Sequence, residues 1–503
     1  MKKNNLKLIA AICFTGILAS CSKDKLDRFP YDSIELSQSF KTVKDAKSWD
    51  NGLYAFLRGR VYGSYTVYTD VQADQLNASL EYGNRNGSPH RWGSSFLSDD
   101  QTIGPIWQNY YNAINNLNIA IAGYPGIVAT TPQDISDMNK YKGDAFLLRA
   151  YYYDQLMLRW AKAYEPSSAA TDLGVPLVLK YDPNALPPRA TSKAVYDQIL
   201  LDIAQAKTLL AAVPGVAGST RFTKDAATAL EARVRLHIQD WAGAKTAADA
   251  VIATSTYPLI NTQAEFNSMW TNDLGKEVIF QVQETAPNEL GNTNSIYLGF
   301  IPTSGYYTPD FIPSQWVVDM YDNADIRKAT YFAQKTLSIQ GGTYPGIYLV
   351  TKYPGNPSLF TGATTNYQQK AKVFRVAELY LISAEAGVRS GAAGEAASLT
   401  TLNLLRVARG VSALSGLTGT SLFQAVKDER FRELAFEGFR LDDLKRWHEG
   451  FQRRDPQNIN ILNTVGGTPT LTIAADDNKF VWGIPANDIT INPSLKGQQN
   501  PGW

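Results

Sequence analysis

The segment Glu429–Trp447 reads Glu-Arg-Phe-Arg-Glu-Leu-Ala-Phe-Glu-Gly-Phe-Arg-Leu-Asp-Asp-Leu-Lys-Arg-Trp. Its small and apolar residues recur at three- and four-residue spacing, which predicts one face of an amphipathic helix. These residues are Phe431, Leu434, Ala435, Gly438 and Phe439. Glu429, Glu433 and Glu437 lie four apart, so a helix stacks them along one face. Like charges at this spacing cost roughly 0.2–0.5 kcal/mol per pair in an isolated helix, so we expect cations to neutralise them.

Suitable cations are close in sequence. Arg430 is three residues from Glu433, and Glu437 is three residues from Arg440. We therefore favour a structural network of partly buried ions that fixes how this helix packs, which is one attested use of such ions. A catalytic carboxylate cluster is the alternative.

The order of residues in this segment resembles the C-terminal signature of the SusD/RagB outer-membrane lipoproteins. That order is Glu-Arg, Glu-Leu, Glu-Gly, Arg, Asp-Leu and Arg-Trp. Other parts of the chain resemble the same family. They are Trp107–Asn118, Leu148–Tyr151, Phe374–Gly410, Pro313–Arg327, and the closing segment from Ile484-Pro485 through Asn492-Pro493 to Gln499–Trp503. The resemblance spans nearly the whole mature chain and implies a fold and a role, but it does not specify a ligand.

Helical periodicity also predicts paired helices. Ala226–Ile238 and Ala242–Ile252 form a hairpin similar to a degenerate tetratricopeptide unit. Two further pairs follow the same pattern: Asp144–Tyr164 with Val195–Leu210, and Val376–Ser390 with Ala396–Arg409. We expect a mainly α fold in which tetratricopeptide-like helical hairpins form a scaffold, with a loop-rich, partly β insertion packed on it. A generic helical bundle is the alternative.

The expected boundaries are a signal peptide at 1–20, a lipidated tether at 21–40 and a single globular domain at 41–503. Within that domain, the helical scaffold covers about 41–255 and 371–450, the insertion about 256–370, and an irregular C-terminal segment 451–503. The insertion is rich in Pro, Gly and Tyr. It contains a predicted strand at Val278–Gln283, a predicted hairpin at Leu337–Lys352 and, from the resemblance, a short helix within Pro313–Arg327.

The N-terminus predicts export and lipidation. Lys2, Lys3 and Lys7 precede an apolar run of eleven residues, Leu8–Leu18. A bilayer span needs about 20 residues, so this run is typical of a signal peptide. The small residues before Cys21 favour cleavage there and lipidation of that cysteine; an ordinary signal peptide is the alternative. Removing the three lysines changes 48 basic against 47 acidic residues to 45 against 47, a net charge of about −2.

The sequence lacks several common catalytic motifs. The sequence has no Gly-x-Ser-x-Gly, no phosphate-binding loop ending in Lys-Ser or Lys-Thr, and no His-Glu-x-x-His. Its three histidines are far apart, and its near-neutral charge gives no footprint for nucleic acid. We expect that the protein is not an enzyme and that it has no catalytic residue, metal ligand or cofactor. A structural calcium ion at Asp476-Asp477-Asn478 is kept as an alternative to a solvated turn.

The aromatic content points to ligand binding. The chain has 27 Tyr and 10 Trp. Sugar rings have apolar faces and hydroxyl edges, so they need flat aromatic platforms beside polar groups. Two loop regions, 74–92 and 288–311, carry that mixture. The predicted ligand-binding residues are Asp74, Tyr82, Asn84, Arg91, Trp92, Tyr297, Tyr306 and Tyr307. For Trp92, an exposed platform and a buried loop anchor remain equally open; Trp316 is interpreted as core.

The resemblance implies a function. Members of the SusD/RagB family are lipoproteins anchored in the outer membrane and facing the cell surface. They bind oligo- or polysaccharide and deliver it to a partner SusC-like TonB-dependent transporter. Two alternatives stay open: the same role with peptide cargo, and a lipid-anchored glycoside hydrolase with two carboxylates in a cleft.

Overall fold

A computed structural model describes residues 36–454, 456–463 and 471–503. The predicted signal peptide, Cys21 and most of the predicted tether lie outside the described residues, so these predictions are not addressed by it. Within the described part, none of the helices is long and apolar enough to cross a bilayer.

Helices dominate the described chain. In chain order they are α1 (Val43–Arg58), α2 (Ser64–Gln72), α3 (Gly87–Arg91), α4 (Gly104–Gly123), α5 (Pro132–Trp160), α6 (Ser192–Leu209), α7 (Lys224–His237), α8 (Trp241–Ile252), α9 (Gln263–Thr271), α10 (Gln315–Asp319), α11 (Ile326–Tyr331), α12 (Val376–Arg389), α13 (Ala392–Ala408), α14 (Gly419–Leu434), α15 (Arg440–Arg446) and α16 (Ala486–Ile491).

The predicted hairpin of α7 and α8 is confirmed, and local chemistry explains its ends. The Thr223 hydroxyl accepts a hydrogen bond from the backbone of Ala226 (3.2 Å) at the start of α7. The Asp240 carboxylate accepts one from Gly243 (3.0 Å) at the start of α8. Such caps satisfy donors that a helix end leaves unpaired. Buried alanines, including Ala244 and Ala248, let the two helices approach closely.

The other two predicted pairs are also confirmed. Helix α5 packs on α6, and α12 packs on α13. Helix α5 begins at Pro132 rather than near Asp144, because Thr131 and Asp134 form a capping box there. Helix α12 also lies along α8. This contact joins the two helical blocks into one scaffold across the insertion.

The strands are short and form small sheets. In chain order they are β1 (Leu76–Ala78), β2 (Leu173–Pro176), β3 (Arg189–Thr191), β4 (Val278–Gln281), β5 (Phe300–Ile301), β6 (Tyr306–Tyr307), β7 (Phe311–Pro313), β8 (Phe332–Ile339), β9 (Gly342–Val350), β10 (Lys372–Arg375), β11 (Phe451–Gln452) and β12 (Thr472–Ile473). One four-stranded sheet has the order β5-β6-β8-β9, and the others are the pairs β1-β7, β4-β10, β2-β3 and β11-β12.

The insertion carries the four-stranded sheet. Its hairpin β8-β9 confirms the predicted hairpin but begins earlier, at Phe332. Gln340 and Gly341 both have positive φ (47° and 78°), as a two-residue turn between twisted strands requires. Strand β6 joins β8 in parallel through Tyr307 and Leu337. Strand β1 pairs with β7, so the two predicted ligand loops meet at this point of the fold.

The Glu429–Trp447 segment is not one continuous helix, contrary to its periodicity. Helix α14 ends at Leu434, and α15 begins at Arg440. Between them Phe436 and Gly438 adopt left-handed φ values of 64° and 83°, which helices do not contain. Glu437 therefore leaves the helix face that Glu429 and Glu433 share.

The predicted buried ion network is confirmed, but its predicted partners are wrong. Arg430 pairs with Asp443 (2.7 Å), and Arg440 pairs with Asp74 (2.7 Å). The cations around the glutamates come mostly from distant segments. Glu429 pairs with Arg327, Arg406 and Arg432; Glu433 with Arg327, Arg375 and Arg409; and Glu437 with Lys352 and Arg375. The network therefore fastens α14 to the insertion and to α13.

Candidate functional site

A pocket of about 410 Å³ opens on the insertion, where the β5-β6-β8-β9 sheet meets α9, α11 and the loop before β10. We call it the Tyr307 pocket. Its lining residues are Asn267, Thr271, Leu298, Phe300, Tyr307, Ala329, Thr330, Ala333, Lys335, Thr351, Pro354, Thr365 and Tyr367.

Three aromatic side chains line the Tyr307 pocket. Phe300 and Tyr307 are opposite each other across β5-β6, and their ring centroids lie 5.1 Å apart at an interplanar angle of 45°. The Tyr367 hydroxyl accepts a hydrogen bond from the backbone of Phe300 (2.7 Å), which ties the loop before β10 to this sheet. The Lys335 ammonium lies over the Tyr307 ring, 5.3 Å from its centroid. The pocket thus combines apolar ring surface with polar groups.

Some polar groups of the pocket already form hydrogen bonds within the protein, and others have no partner among the described residues. Thr271, Thr351 and Thr365 donate their hydroxyls to backbone oxygens of the protein (2.7–3.1 Å). Asn267 accepts with its side-chain oxygen from Gln263 (2.9 Å) and from Thr330. Its amide nitrogen has no acceptor among the described residues. The pocket can therefore offer hydrogen bonds to a ligand without breaking internal ones.

A second cleft, of about 580 Å³, lies between α10, α14, α15 and the segment around β11. We call it the Trp316 cleft. It is lined by Asp74, Trp316, Asp319, Met320, Gln424, Lys427, Asp428, Phe431, Arg440, Leu444, Glu449, Gly450, Phe451, Gln452 and Arg454. Trp316 is half-buried and packs against the core, in line with its interpretation as core, and it also lines this cleft.

The Trp316 indole contacts an aromatic ring and a cation. Phe431 stacks on it, with centroids 5.1 Å apart and rings 29° from parallel. The Arg454 guanidinium lies over the ring, 4.8 Å from its centroid. The other cations of the cleft are already paired, Arg440 with Asp74 and Lys427 with Glu449. The Trp316 cleft is thus a charged groove rather than an open aromatic platform.

Trp92 is a buried loop anchor, which is one of the two alternatives that the sequence left open for it. The residue is 8% exposed. Its indole nitrogen donates to the backbone oxygen of Gln72 (2.6 Å), and its ring meets Phe451 and Phe480 edge-on at 5.6 and 5.0 Å. These apolar partners come from the C-terminal segment, far from Trp92 in sequence. In this structure the ring has no free face for a sugar to stack on.

Three more predicted ligand residues are also buried. Asp74 is held by Arg440 through two hydrogen bonds (3.0 and 2.7 Å), although it borders the Trp316 cleft. Tyr82 is 6% exposed, and its hydroxyl accepts from Arg91 (2.8 Å). Tyr297 is fully buried and donates to Asp70 (3.1 Å). Their side chains serve the packing of the two loops on the scaffold.

The remaining predicted residues divide between the surface and the pocket. Asn84 is exposed in a left-handed turn (φ 60°), and Arg91 is half-buried against it. Tyr306 is 37% exposed and lies outside both the pocket and the cleft. Tyr307, its neighbour on β6, lines the Tyr307 pocket. Successive strand residues point to opposite faces, which separates the two tyrosines.

The two carboxylates of the predicted structural calcium site have hydrogen-bond partners within the protein. An Asp476 oxygen lies 2.7 Å from Nδ1 of His448, and Asp477 accepts from the backbone of Lys479 (2.9 Å). The hydrogen bond with Glu165 and the one with Asp476 raise the pKa of His448. Among the described residues no group of three or more potential His, Cys, Asp or Glu ligands is arranged to hold a metal ion.

Comparison with known proteins gives the family. A model of the SusD family matches residues 327–503, and a model described as starch-binding associating with outer membrane matches residues 26–236. The chain belongs to the SusD/RagB family. SusD-like protein P38 of Formosa agariphila is 24% identical over 547 aligned positions, covering 99% of each chain.

Solved structures of the SusD superfamily share the fold. One from Bacteroides thetaiotaomicron is 23% identical, covers 92% of this chain and 100% of its own, and superposes with a TM-score of 0.77. Surface glycan-binding protein A from Bacteroides fluxus is 21% identical, with the same coverage and a TM-score of 0.68. The helical scaffold described above is therefore the SusD-like one.

Several residues of the Tyr307 pocket of this SusD/RagB protein were missed by sequence reasoning. Asn267 lies on α9, Lys335 on β8 and Tyr367 in the loop before β10, whereas the predicted regions end at 311. Phe300 lies inside the region 288–311 and had the right composition around it. For the other three, no local pattern distinguishes them, because only the sheet and the loop before β10 bring them together.

Proposed function

We propose that this SusD/RagB protein binds oligo- or polysaccharide at the outer membrane and passes it to a SusC-like TonB-dependent transporter. Two comparisons support the class of ligand and the location. One matching family model is described as starch-binding associating with outer membrane, and one protein of the same fold is named a surface glycan-binding protein.

The observation that carries the proposal is the Tyr307 pocket. Phe300, Tyr307 and Tyr367 give it an aromatic wall, and Asn267 and Lys335 place unused donors beside that wall. This is the combination that a sugar ring needs, with C–H faces against rings and hydroxyl edges against polar groups. The pocket lies on the insertion, away from the hairpins of the scaffold, so one part holds cargo while another is free to contact a partner.

The pocket supports binding without bond cleavage. Hydrolysis of a glycosidic bond generally uses two carboxyl groups that flank it. None of the described residues lining the Tyr307 pocket is acidic. A ligand held there meets rings, hydroxyls, an amide and an ammonium, which suit capture and release.

The lipid anchor and the transporter complete the proposed function. Cys21 carries the lipid, and the polar segment 22–38 is the tether between membrane and globule. The helical hairpins provide the rigid surface that contacts the transporter. A Cys21→Ser variant tests the anchor: we expect it to leave the membrane fraction, whereas the unmodified protein stays with it and is accessible to protease added to whole cells.

Peptide cargo is the second candidate, and the Trp316 cleft favours it. Lys427, Arg440 and Arg454 line this groove together with Asp74, Asp319, Asp428 and Glu449. A groove with both signs of charge matches the backbone and side chains of a peptide better than the hydroxyls of a neutral sugar.

Affinity electrophoresis tests the glycan-binding proposal. We expect gels containing a bound polysaccharide to retard the purified protein and the recovered glycan to show no shortening. Tyr307→Ala weakens the retardation, whereas Tyr181→Ala does not, since Tyr181 is 47% exposed and lines neither the pocket nor the cleft. Cleavage products that accumulate with time would contradict a binding protein, and retention of peptides but of no glycan would favour the second candidate.

A further inference from the structure

One charged side chain lines the Tyr307 pocket, and it has no counterion among the described residues. Lys335 is half-buried on β8 and makes no ion pair with any described residue. Its ammonium lies over the face of the Tyr307 ring. Two of the three cations in the Trp316 cleft differ, because Arg440 and Lys427 are each matched by a carboxylate. The ammonium of Lys335 is therefore available to a ligand.

The other unused groups of the pocket are donors as well. The side-chain amide nitrogen of Asn267 has no acceptor among the described residues, while its oxygen already accepts two hydrogen bonds. The Tyr367 hydroxyl accepts from Phe300 and has its own proton left to donate. A ligand that fits this set presents acceptors to all three groups.

We propose that the Tyr307 pocket selects acidic saccharides, whose carboxylate or sulfate groups are bound by Lys335. This inference rests on the proposed glycan-binding function and narrows its substrate class. When a sugar packs against Phe300 and Tyr307, its substituents lie close to Lys335, since the ammonium is 5.3 Å from the Tyr307 ring centroid. A hydrogen bond between ionised partners is about twice as strong as a neutral one, so an acidic substituent gains most from this position.

Neutral saccharides gain less from the same site. Hydroxyl groups both donate and accept, so each hydroxyl placed against Lys335 leaves its proton to find another acceptor. With no acidic residue among the described lining residues, the pocket offers few such acceptors. Selectivity thus comes from the composition of the site and not from shape alone.

Matched pairs of polysaccharides test the inference. Affinity electrophoresis is run with polygalacturonate and its methyl-esterified form, and with a sulfated galactan and its desulfated form. We expect the charged member of at least one pair to retard the protein more than its neutral counterpart. Retardation by the charged member decreases as sodium chloride is added, because salt screens the contact.

The variant Lys335→Gln isolates the lysine. It removes one charge, and we expect about tenfold weaker binding of the charged glycan. Lys47→Gln is the matched control, because Lys47 is exposed on α1 and lines neither the pocket nor the cleft. Equal melting temperatures of the two variants show that Lys335→Gln acts on binding.

Each other outcome has a defined meaning. If the neutral members retard the protein as strongly as the charged ones, or if Lys335→Gln binds like the Lys47→Gln control, the acidic-saccharide assignment is overturned while glycan binding stands. If polyglutamate competes as well as the charged glycan, the site binds acidic polymers in general and the assignment to saccharides is overturned. Retention by no glycan of either class would overturn the proposed function together with this inference.

Discussion

Arg409 and Glu433 face each other in the protein core, and the guanidinium donates from Nε and Nη2 to the two carboxylate oxygens at 2.9 Å each. Both side chains are fully buried. The remaining nitrogen of Arg409 donates to Glu277 (2.8 Å), which lies before β4. This bidentate pair joins α13 to α14 and connects them to the insertion, so it is a joint between distant parts of the chain.

Glu433→Gln tests that joint. The substitution keeps the shape of the side chain but removes the charge shared by Arg327, Arg375 and Arg409. Removing one partner of a buried ion pair leaves uncompensated charge, so we expect a loss of about 3–5 kcal/mol in the free energy of unfolding. Urea denaturation measures it. In the control Glu289→Gln, at an exposed side chain, the change is within about 0.5 kcal/mol; equal effects in both variants would contradict a special role for the buried network.

Acid sensitivity follows from the same carboxylates. Burial raises the pKa of Glu429, but Arg327, Arg432 and Arg406 outweigh burial and lower it to about 2, from an ordinary 4.5. The pKa of Glu433 is lowered in the same way, mainly by Arg409 and Arg375 against the effect of burial. A carboxyl group whose pKa is lower in the folded protein stabilises fully above its unfolded pKa, and this contribution is lost as pH falls towards the folded pKa.

We therefore expect the stabilising contribution of Glu429 and Glu433 to be complete above about pH 5, and the urea midpoint to fall between pH 4.5 and 2. Glu429→Gln removes one of the responsible groups. The variant has a lower urea midpoint at neutral pH, and its midpoint decreases less on acidification than that of the unmodified protein. A midpoint that stays constant down to pH 3 would show that the network contributes little.

Gly438 explains why the segment Glu429–Trp447 does not continue as one helix. It has a φ of 83°, and an added Cβ would lie 3.3 Å from side-chain atoms of Thr66 and Thr69. Its amide donates to Asp70 (3.2 Å), which fixes the turn against α2. We expect Gly438→Ala to cost about 1–3 kcal/mol because alanine is strained in this conformation.

Gly52→Ala is the matched control for that prediction. Gly52 lies inside α1, and nothing occupies the space within 4 Å of an added Cβ. Alanine at a helix interior is favoured over glycine, so this variant gains roughly 0.5–1 kcal/mol. Chemical denaturation measures the change in the free energy of unfolding, which we expect to have opposite signs in the two variants. A loss of stability in both would contradict the conformational argument.

How far the sequence predicts this fold depends on where the partners of each residue lie. The hairpin α7-α8 was predicted well because Thr223, Asp240 and the alanine spacing act within a few residues of one another. The turn at Gly438 was missed, since the acceptor that holds it, Asp70, is far away in sequence. The residues of Glu429–Trp447 predicted the existence of an ion network, but Arg327 and Arg409 reach it only through the folded chain.

The candidate site shows the same limit. Tyr307 was predicted from the aromatic composition of its loop, and it lines the pocket. Trp92 had similar surroundings in sequence, yet Phe451 and Phe480 bury it from the other end of the chain. No local sequence pattern identified Lys335 as a pocket residue, because it reaches Tyr307 only through the pairing of β6 with β8.

Trp92→Ala distinguishes an anchor from a platform. The substitution empties a buried aromatic position and leaves the Gln72 carbonyl without its indole donor, so we expect a loss of about 3–5 kcal/mol in the free energy of unfolding. Leu274→Ala, at a side chain that is 70% exposed, changes it by no more than about 0.5 kcal/mol. Unchanged stability in Trp92→Ala, together with weaker retention by a glycan, would restore the platform hypothesis.

Tyr306 and Tyr307 offer a test of the site within two adjacent residues. Only Tyr307 lines the pocket, where its ring lies 5.1 Å from that of Phe300, although Tyr306 is the more exposed of the two. We expect Tyr307→Ala to weaken glycan binding roughly tenfold, since it removes an aromatic contact, and Tyr306→Ala to change it less. Titration calorimetry with a glycan that retards the protein measures both. A larger effect at Tyr306 would place the ligand on the opposite face of β6, outside the Tyr307 pocket, and would move the search for the binding surface there.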